Sequence, residues 1–406
     1  MFDYLPQEVI AHILLRLPVK TLGLCLCVCK LWHAIISGTI FINNHIAHTN
    51  KKENSGHRLL LRQFIDVQHR ELYSLHFDTH PFQKYKDLSF PIQTIDRRFR
   101  IVGSCNGILC LSSNGHPPDF VLWNPTIQKF VSLPRPLVYL SYCNIKMFTL
   151  GFGFDSLSND YKVVMLFFLK AKRGHDCAYP PPQVNLYSLS TRSWREISAM
   201  ACPYKMDRYC WTQVFLNGAI HWVASTKING VKDGPCSNLI LRFNVSDEVF
   251  DHMCLPGSLV DNKAFKLSVL VLGGQLSVVQ WNTFENCGTC SIWSMKEYGA
   301  KESWTKQFEI GSLEALDISC VVNILRLREN SQLLLEMCNG WLFSYDPQDK
   351  KVTDLQINGS EKTFYLDFFE ESLVLLGQGN ENLKEQQDVQ SKKRMRPEDR
   401  IKNVEW

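Results

Sequence analysis

Residues 186–194 read LYSLSTRSW: a short apolar run carrying an aromatic side chain, a polar turn, then a second bulky residue. The unit recurs as LYSLHFD (72–78), LWNPTIQKF (122–130), RFNVSDEVF (242–250), IWSMKEYGAKESW (292–304) and LFSYDPQDKKV (342–352). Its aromatic anchors are Tyr73, Trp123, Tyr187, Phe243, Trp293 and Phe343, separated by 50, 64, 56, 50 and 50 residues on subtraction of those numbers. Several strands fit between successive anchors, so the period implies four-stranded blades repeated around an axis, a β-propeller. Six anchors imply six blades. A seventh is available if FYLDFFEESLVLLG near the C-terminus pairs with RLLLRQF near residue 60.

Tight turns inside the repeats support this reading. SCNGILCL (104–111), FLNGAIHWVA (215–224), LGGQLSVVQW (272–281) and MCNGWLFSY (337–345) place Asn-Gly or Gly-Gly between apolar runs. Hairpins need positive φ at those positions, so Gly107, Gly218, Gly274 and Gly340 are read as architectural.

The first 48 residues follow a different period. Val9, Ile10, Ile13, Leu14 and Leu17 recur at helical spacing behind Pro6, which predicts a helix to about Leu17. Pro18 then turns the chain into a short second helix. In LCLCVCKLWHAI (24–35), helical geometry places Cys25, Val28, Cys29, Trp32, Ile35 and Ile36 on one stripe and Cys27 off it. The thiols do not converge, and no second pair of donors lies nearby to complete a zinc site, so the stripe is read as core-facing. Three short helices carry more apolar side chains than so small a unit can hide, which implies a partner.

Net charge bounds that partner. The 406 residues carry 44 basic and 40 acidic side chains, a balance of +4, too weak a field for nucleic acid held through many phosphate contacts. Asp3 and Glu8 lie where a secretory signal carries positive charge, and no apolar run is long enough to span a membrane. The 15 cysteines are then expected as reduced thiols. The sequons at Asn244 and Asn358 are read as chance matches. The expected location is cytoplasmic, nuclear or both.

LPQEVIAHILLRLPVKTLGLCLCVCKLWHAIISGTIFINNHI (5–46) resembles the F-box along its whole length. The matching features are Leu5-Pro6, the isoleucine and leucine ladder, Leu17-Pro18-Val19, Val28-Cys29-Lys30 with Trp32, and Phe41 with His45. The resemblance implies docking to a Skp-type adaptor of a cullin ubiquitin ligase. By position, Leu5, Pro6, Ile10, Ile13, Leu14, Leu17, Pro18, Leu22, Val28 and Trp32 form or support that surface. Sequence does not divide those that face the adaptor from those that hold the helices together.

The remainder also resembles a known family. SCNGILCL, LWNPTIQKFVSLP, GFGFDSLSNDYKVV, VNLYSLSTRSWREI, FLNGAIHWVA and ILRFNVSDEVFDHMCLP occur in the order of the plant F-box associated interaction domain, S-locus-like members included, over roughly residues 101–310. Kelch blades repeat a double glycine, whereas this chain has one only at Gly273-Gly274. The expected organisation is an F-box at 1–48, a propeller-like interaction domain at 49–376 and a charged, disordered tail at 377–406. HTNKKENSGHR (48–58) serves as the linker, and KKRMRP in the tail is a candidate nuclear import signal.

No phosphate loop, dinucleotide fingerprint, nucleophile elbow or zinc-helix motif appears. Cys287-Gly-Thr-Cys290 has redox spacing but lies between strand-like runs, so a hairpin loop is the reading. His221 is read as structural, and Glu370-Glu371 as solvated beside a strand start. No cofactor or metal is called for. The expectation is a non-catalytic substrate receptor that holds the adaptor through its helices and an unidentified target through loops such as KAKRGHDCAYPPPQ and TKINGVKDGPCSN. The competing readings are a small-molecule binder or enzyme using the propeller funnel, and an F-box protein acting outside a complete ligase.

Overall fold

Two prolines set the starts of the first helices. Pro6 stands before α1 (Gln7–Leu14) and accepts from the Val9 and Ile10 N–H groups at 3.0 and 3.2 Å; Pro18 stands before α2 (Val19–Cys25) and accepts from Leu22 N–H at 3.0 Å. A ring without an N–H costs nothing where the helix leaves its donors unpaired. Two more helices follow, α3 (Lys30–Ser37) and α4 (Thr39–Asn50), one beyond the three that the sequence predicts. The first helix also ends three residues early, at Leu14, before a turn. This computed structural model describes residues 5–50 and 58–375 except 69, 80, 91, 93–97, 114–117, 137–142, 172–181, 198–203, 205, 207–212, 228–235, 261–265, 283–288 and 312–320.

The cysteine stretch is not one helix. α2 stops at Cys25, residues 26–28 turn, and Cys29 is extended (φ −160°, ψ 166°) while its Sγ accepts from Trp32 N–H at 3.5 Å. The stripe expected over 25–36 is therefore broken in the middle. Cys25, Ile35 and Ile36 face the core, whereas Val28 and Cys29 are exposed.

Strands follow in chain order. They are β1 (Arg58–Ile65), β2 (Arg70–Phe77) and β3 (Lys84–Leu88); β4 (Phe99–Cys105), β5 (Ile108–Ser113), β6 (Phe120–Asn124) and β7 (Lys129–Ser132); β8 (Cys143–Asp155), β9 (Asp160–Ala171), β10 (Gln183–Ser188) and β11 (Ser193–Ile197). The second half comprises β12 (Val214–Leu216), β13 (Ala219–Lys227), β14 (Cys236–Asn244) and β15 (Val249–Cys254), the short helix α5 (Gly257–Val260), then β16 (Lys266–Leu272), β17 (Gln275–Asn282), β18 (Thr289–Met295) and β19 (Trp304–Ile310). The last are β20 (Val321–Leu327), β21 (Leu333–Met337), β22 (Trp341–Asp346), β23 (Lys351–Asn358) and β24 (Tyr365–Phe368). Among the described residues they form six four-stranded antiparallel sheets, a six-bladed β-propeller.

Each aromatic anchor lies on the third strand of its blade, in β2, β6, β10, β14, β18 and β22. Cross-strand neighbours extend the packing: Trp123 faces Phe130, Tyr187 faces Trp194, and Phe243 faces Phe250. The polar turn after the anchor is held by the residue that ends the strand. Asn124, Asn244 and Asp346 each accept from the N–H two residues on, at 2.9, 3.0 and 2.9 Å. Gln128, Glu248 and Lys350 then take positive φ to enter the fourth strand.

The C-terminal pairing expected of a seventh blade occurs, but it completes the first. β24 lies beside β1, with Leu59 opposite Phe368 and Arg62 opposite Tyr365, so the sheet order is β24-β1-β2-β3. Ion pairs tie neighbouring blades. Arg328 after β20 meets Asp78 after β2 at 2.8 Å, both side chains sealed. Lys162 on β9 reaches Asp155 at 2.8 Å and, in the next blade, Glu248 at 3.0 Å and the Val245 carbonyl at 2.9 Å. Burial pushes the Asp155 carboxyl up, but hydrogen bonds from Lys162, Ser158 and Ser246 outweigh it and hold the group well below the usual range.

An antiparallel blade sends its first and third connections to one end of the strands and its second to the other. The short turns of Asn106-Gly107, residues 125–128 and 156–159, and Asn217-Gly218 therefore share one face of the propeller. Longer connections, such as those from β9 to β10, β11 to β12 and β13 to β14, leave from the opposite face.

Candidate docking surface

The helices sort the ten sequence-identified residues into two groups. Ile10 and Leu14 on α1 and Leu22 on α2 are sealed into a core with Val19, Cys25, Ile35, Ile36 and Phe41. Leu17 and Trp32 pack against that core and are half-buried. Leu5, Pro6, Ile13, Pro18 and Val28 are exposed. The division follows helical geometry: Ile10 and Leu14 are one turn apart on one face of α1, and Val9 and Ile13 are one turn apart on the adjoining face.

Four exposed apolar side chains join them that the motif match passed over: Val9, Leu24, Leu31 and Ile40. Leu24 is 75% exposed and Val28 59%, and among the described residues seven of the ten exposed large apolar side chains lie between Leu5 and Ile40, a concentration that scattered single residues would not give. Their signal is present in the sequence as apolar residues one position off the core-facing set.

The unit does not hang free of the propeller. Ile42 and Ile46 on α4 pack against a core cluster of blades two and three that includes Phe152, Val374 and Leu375. Asn43 Nδ2 donates to Asn159 Oδ1 at 2.8 Å, and Lys20 lies 5.8 Å from the Tyr85 ring centre on β3. His45, buried on α4, has Nε2 3.0 Å from the Leu17 carbonyl at the corner between α1 and α2. Asn159 and Ile127 belong to the short turns, so the helices cover that face over the first three blades. Part of the apolar excess expected to need another molecule is thus covered by the propeller itself, and the exposed set above is what remains.

The propeller's other sequence-identified groups are placed as follows. His221 is fully buried with Nε2 2.8 Å from the Tyr298 hydroxyl, and burial lowers its pKa to about 4, so it stays neutral in a structural contact. Cys105 and Cys110 have thiols pushed well up by burial, and burial pushes Cys290 to about 12, which leaves these sulfurs protonated. Cys287 lies outside the described residues. Glu370-Glu371 follow β24 instead of preceding a strand, and Glu371 is not solvated as expected: it meets Arg58 at 2.7 Å and is only 19% exposed. The Asn244 side chain is engaged by its own turn.

Among the described residues no group of three or more His, Cys, Asp or Glu could hold a metal ion, and no helix is long and apolar enough to cross a membrane. α4 runs to Asn50 and β1 starts at Arg58, so both ends of the expected linker are structured, while 51–57 lie outside the described residues. So do the tail with KKRMRP and most of the two loops read as target-binding.

Known proteins share both parts. A family model for the F-box-like domain matches residues 2–45, and one for the F-box associated beta propeller domain matches residues 63–374. F-box protein CPR1 of Arabidopsis thaliana is 27% identical over 404 residues, covering 96% of this chain and 93% of its own. F-box protein At3g07870 of the same plant is 27% identical, covering 89% and 90%. A third Arabidopsis protein, named F-box/kelch-repeat protein At3g23880, is 28% identical and covers 84% and 90%. With helices in the F-box pattern and a six-bladed ring matched over most of its length, the chain belongs to the F-box proteins that carry an F-box associated β-propeller domain.

Proposed function

We propose that this protein is the substrate-recognition subunit of an SCF-type ubiquitin ligase, docking a Skp-type adaptor through the helices and holding a target protein on the propeller. The observation that carries the reading is the set of apolar side chains left uncovered after the helical core has filled and the propeller has been contacted: Leu5, Val9, Ile13, Leu24, Val28, Leu31 and Ile40. Of the ten residues identified in sequence, Leu5, Pro6, Ile13, Pro18 and Val28 are assigned to direct contact; Ile10, Leu14, Leu17, Leu22 and Trp32 support the surface from within.

The target is assigned to the propeller face opposite the helices, where the longer connections leave the strands. Holding it there raises its effective concentration near a ubiquitin-loaded conjugating enzyme, so transfer calls for no acid, base or nucleophile from this chain. Such work takes place in the cytoplasm, the nucleus or both.

Replacing Ile13 and Val28 together with glutamate tests the docking surface, because both are exposed and neither change opens a core. A buried anchor at an interface contributes about 2 kcal/mol, so losing the pair should weaken capture of a purified Skp-type adaptor about 1,000-fold with the melting curve unchanged. Undiminished capture would remove the assignment. Polar changes at Leu14 are a poor test, since that side chain is sealed in the helical core.

A further inference from the structure

The hydrophobic core of the helices contains one residue from the far end of the chain. After β24, residues 369–375 run along the short-turn face between propeller and helices. Leu373, fully buried, completes the cluster of Ile10, Leu14, Val19, Leu22, Ile35, Ile36 and Phe41. Its neighbours face the other way: Val374 and Leu375 belong to the core of blades two and three.

The backbone on both sides of Leu373 is gripped by one side chain. Asn124, sealed at the end of β6, donates from Nδ2 to the Ser372 carbonyl at 3.0 Å and to the Val374 carbonyl at 2.8 Å, with Ser372 Oγ at 3.2 Å. Its Oδ1 is engaged with Thr126 N–H at 2.9 Å, which fixes the amide. The segment also presses on the first hairpin of blade two: a Cβ on Gly107 would lie 2.5 Å from the Glu370 carbonyl and 2.7 Å from Ser372 Oγ.

We propose that residues 369–375 form a coupling strap that makes the shape of the helical unit depend on closure of the propeller. β24 closes the ring and the strap follows it directly, so Leu373 reaches the helical core only when the last strand is paired. An open ring leaves a vacancy among Ile10, Leu14 and Ile36, and helices this short depend on tertiary packing for their stability. The strap therefore acts as a gate in which the closed ring holds the helices in one arrangement. The consequence for adaptor capture rests on the docking function proposed above; the coupling itself does not.

Hydrogen exchange on the full-length protein tests both directions. With Leu373→Ala, amides of α1–α4 should exchange about tenfold faster or more, while those of β12–β19 keep their wild-type rates. Coupling is reciprocal, so Ile10→Ala should likewise accelerate the amides of residues 372–374. Unchanged helical exchange in the first variant, or an unchanged strap in the second, overturns the proposal. If Leu373→Ala loosens every blade, the Ile10→Ala result decides. Adaptor capture by Leu373→Ala should fall about tenfold in parallel. A wild-type protein that captures no adaptor would defeat the docking reading, and the exchange results would still decide the strap.

Discussion

Glu336 on β21 is sealed inside blade six, where Oε1 accepts from Thr363 N–H at 3.0 Å and Oε2 from Asn323 Nδ2 at 3.4 Å. Burial outweighs those hydrogen bonds and pushes its pKa from 4.5 up to about 7. In the unfolded chain the carboxyl ionises near 4.5, so between there and about 7 the folded state holds the extra proton and stability falls as pH rises. His76 and His221, lowered by burial to about 4, act in the opposite sense: stability falls as pH drops from 6.5 toward 4. Glu336→Gln removes only the first effect. Relative to wild type its unfolding free energy should improve by up to roughly 3 kcal/mol between pH 4.5 and pH 8. Urea titrations at the two pH values check this, and an equal difference at both would show that Glu336 titrates normally.

At the scale of elements, two hairpins with the same turn dissociate backbone cost from packing cost. Gly107 and Gly218 both follow an asparagine of positive φ and have φ of +74° and +72°. An added Cβ at Gly218 meets open space, whereas at Gly107 it strikes the strap. Gly218→Ala should cost about 1–2 kcal/mol from its left-handed backbone. Gly107→Ala should cost several kcal/mol and accelerate exchange at residues 372–374 as well, because it drives a methyl into main chain. Equal urea midpoints for the two variants would contradict the contact. The anchors and turns of the blades were legible because their causes are local: an aromatic on the third strand, Asn or Asp to hold the turn, glycine for positive φ. Leu373 was not, because a leucine in an apolar run near the C-terminus carries no mark of a partner near residue 10. The helical stripe over 25–36 misled for a related reason: its periodicity is genuine, but Cys29 adopts extended backbone and caps α3 instead of continuing α2. The sequence motif likewise shows the apolar ladder without dividing it, since Ile10 and Ile13 differ only in which side of α1 the helical core with Leu373 covers.

For the whole molecule the decisive contact is the pairing of β1 with β24, reinforced by Leu366 in a cluster with Leu59, Leu61 and Leu334. Leu366→Asp buries a charge at the seam between the first and last blades and should destabilise the ring by about 3 kcal/mol or more, with blades one and six losing exchange protection first. The matching change at Val249, 57% exposed on the outer strand β15, should leave the melting curve within experimental scatter. If both variants melt alike, the seam is not where the ring is held. The chain order at this seam has a consequence for synthesis. β1 leaves the ribosome some 300 residues before the strand that covers its edge, and at bacterial to eukaryotic elongation rates that interval lasts about 15–60 s. Throughout it the nascent chain presents an unpaired edge and an unfinished N-terminal helix bundle, so the first parts to be translated are the last to mature and are natural clients for chaperones.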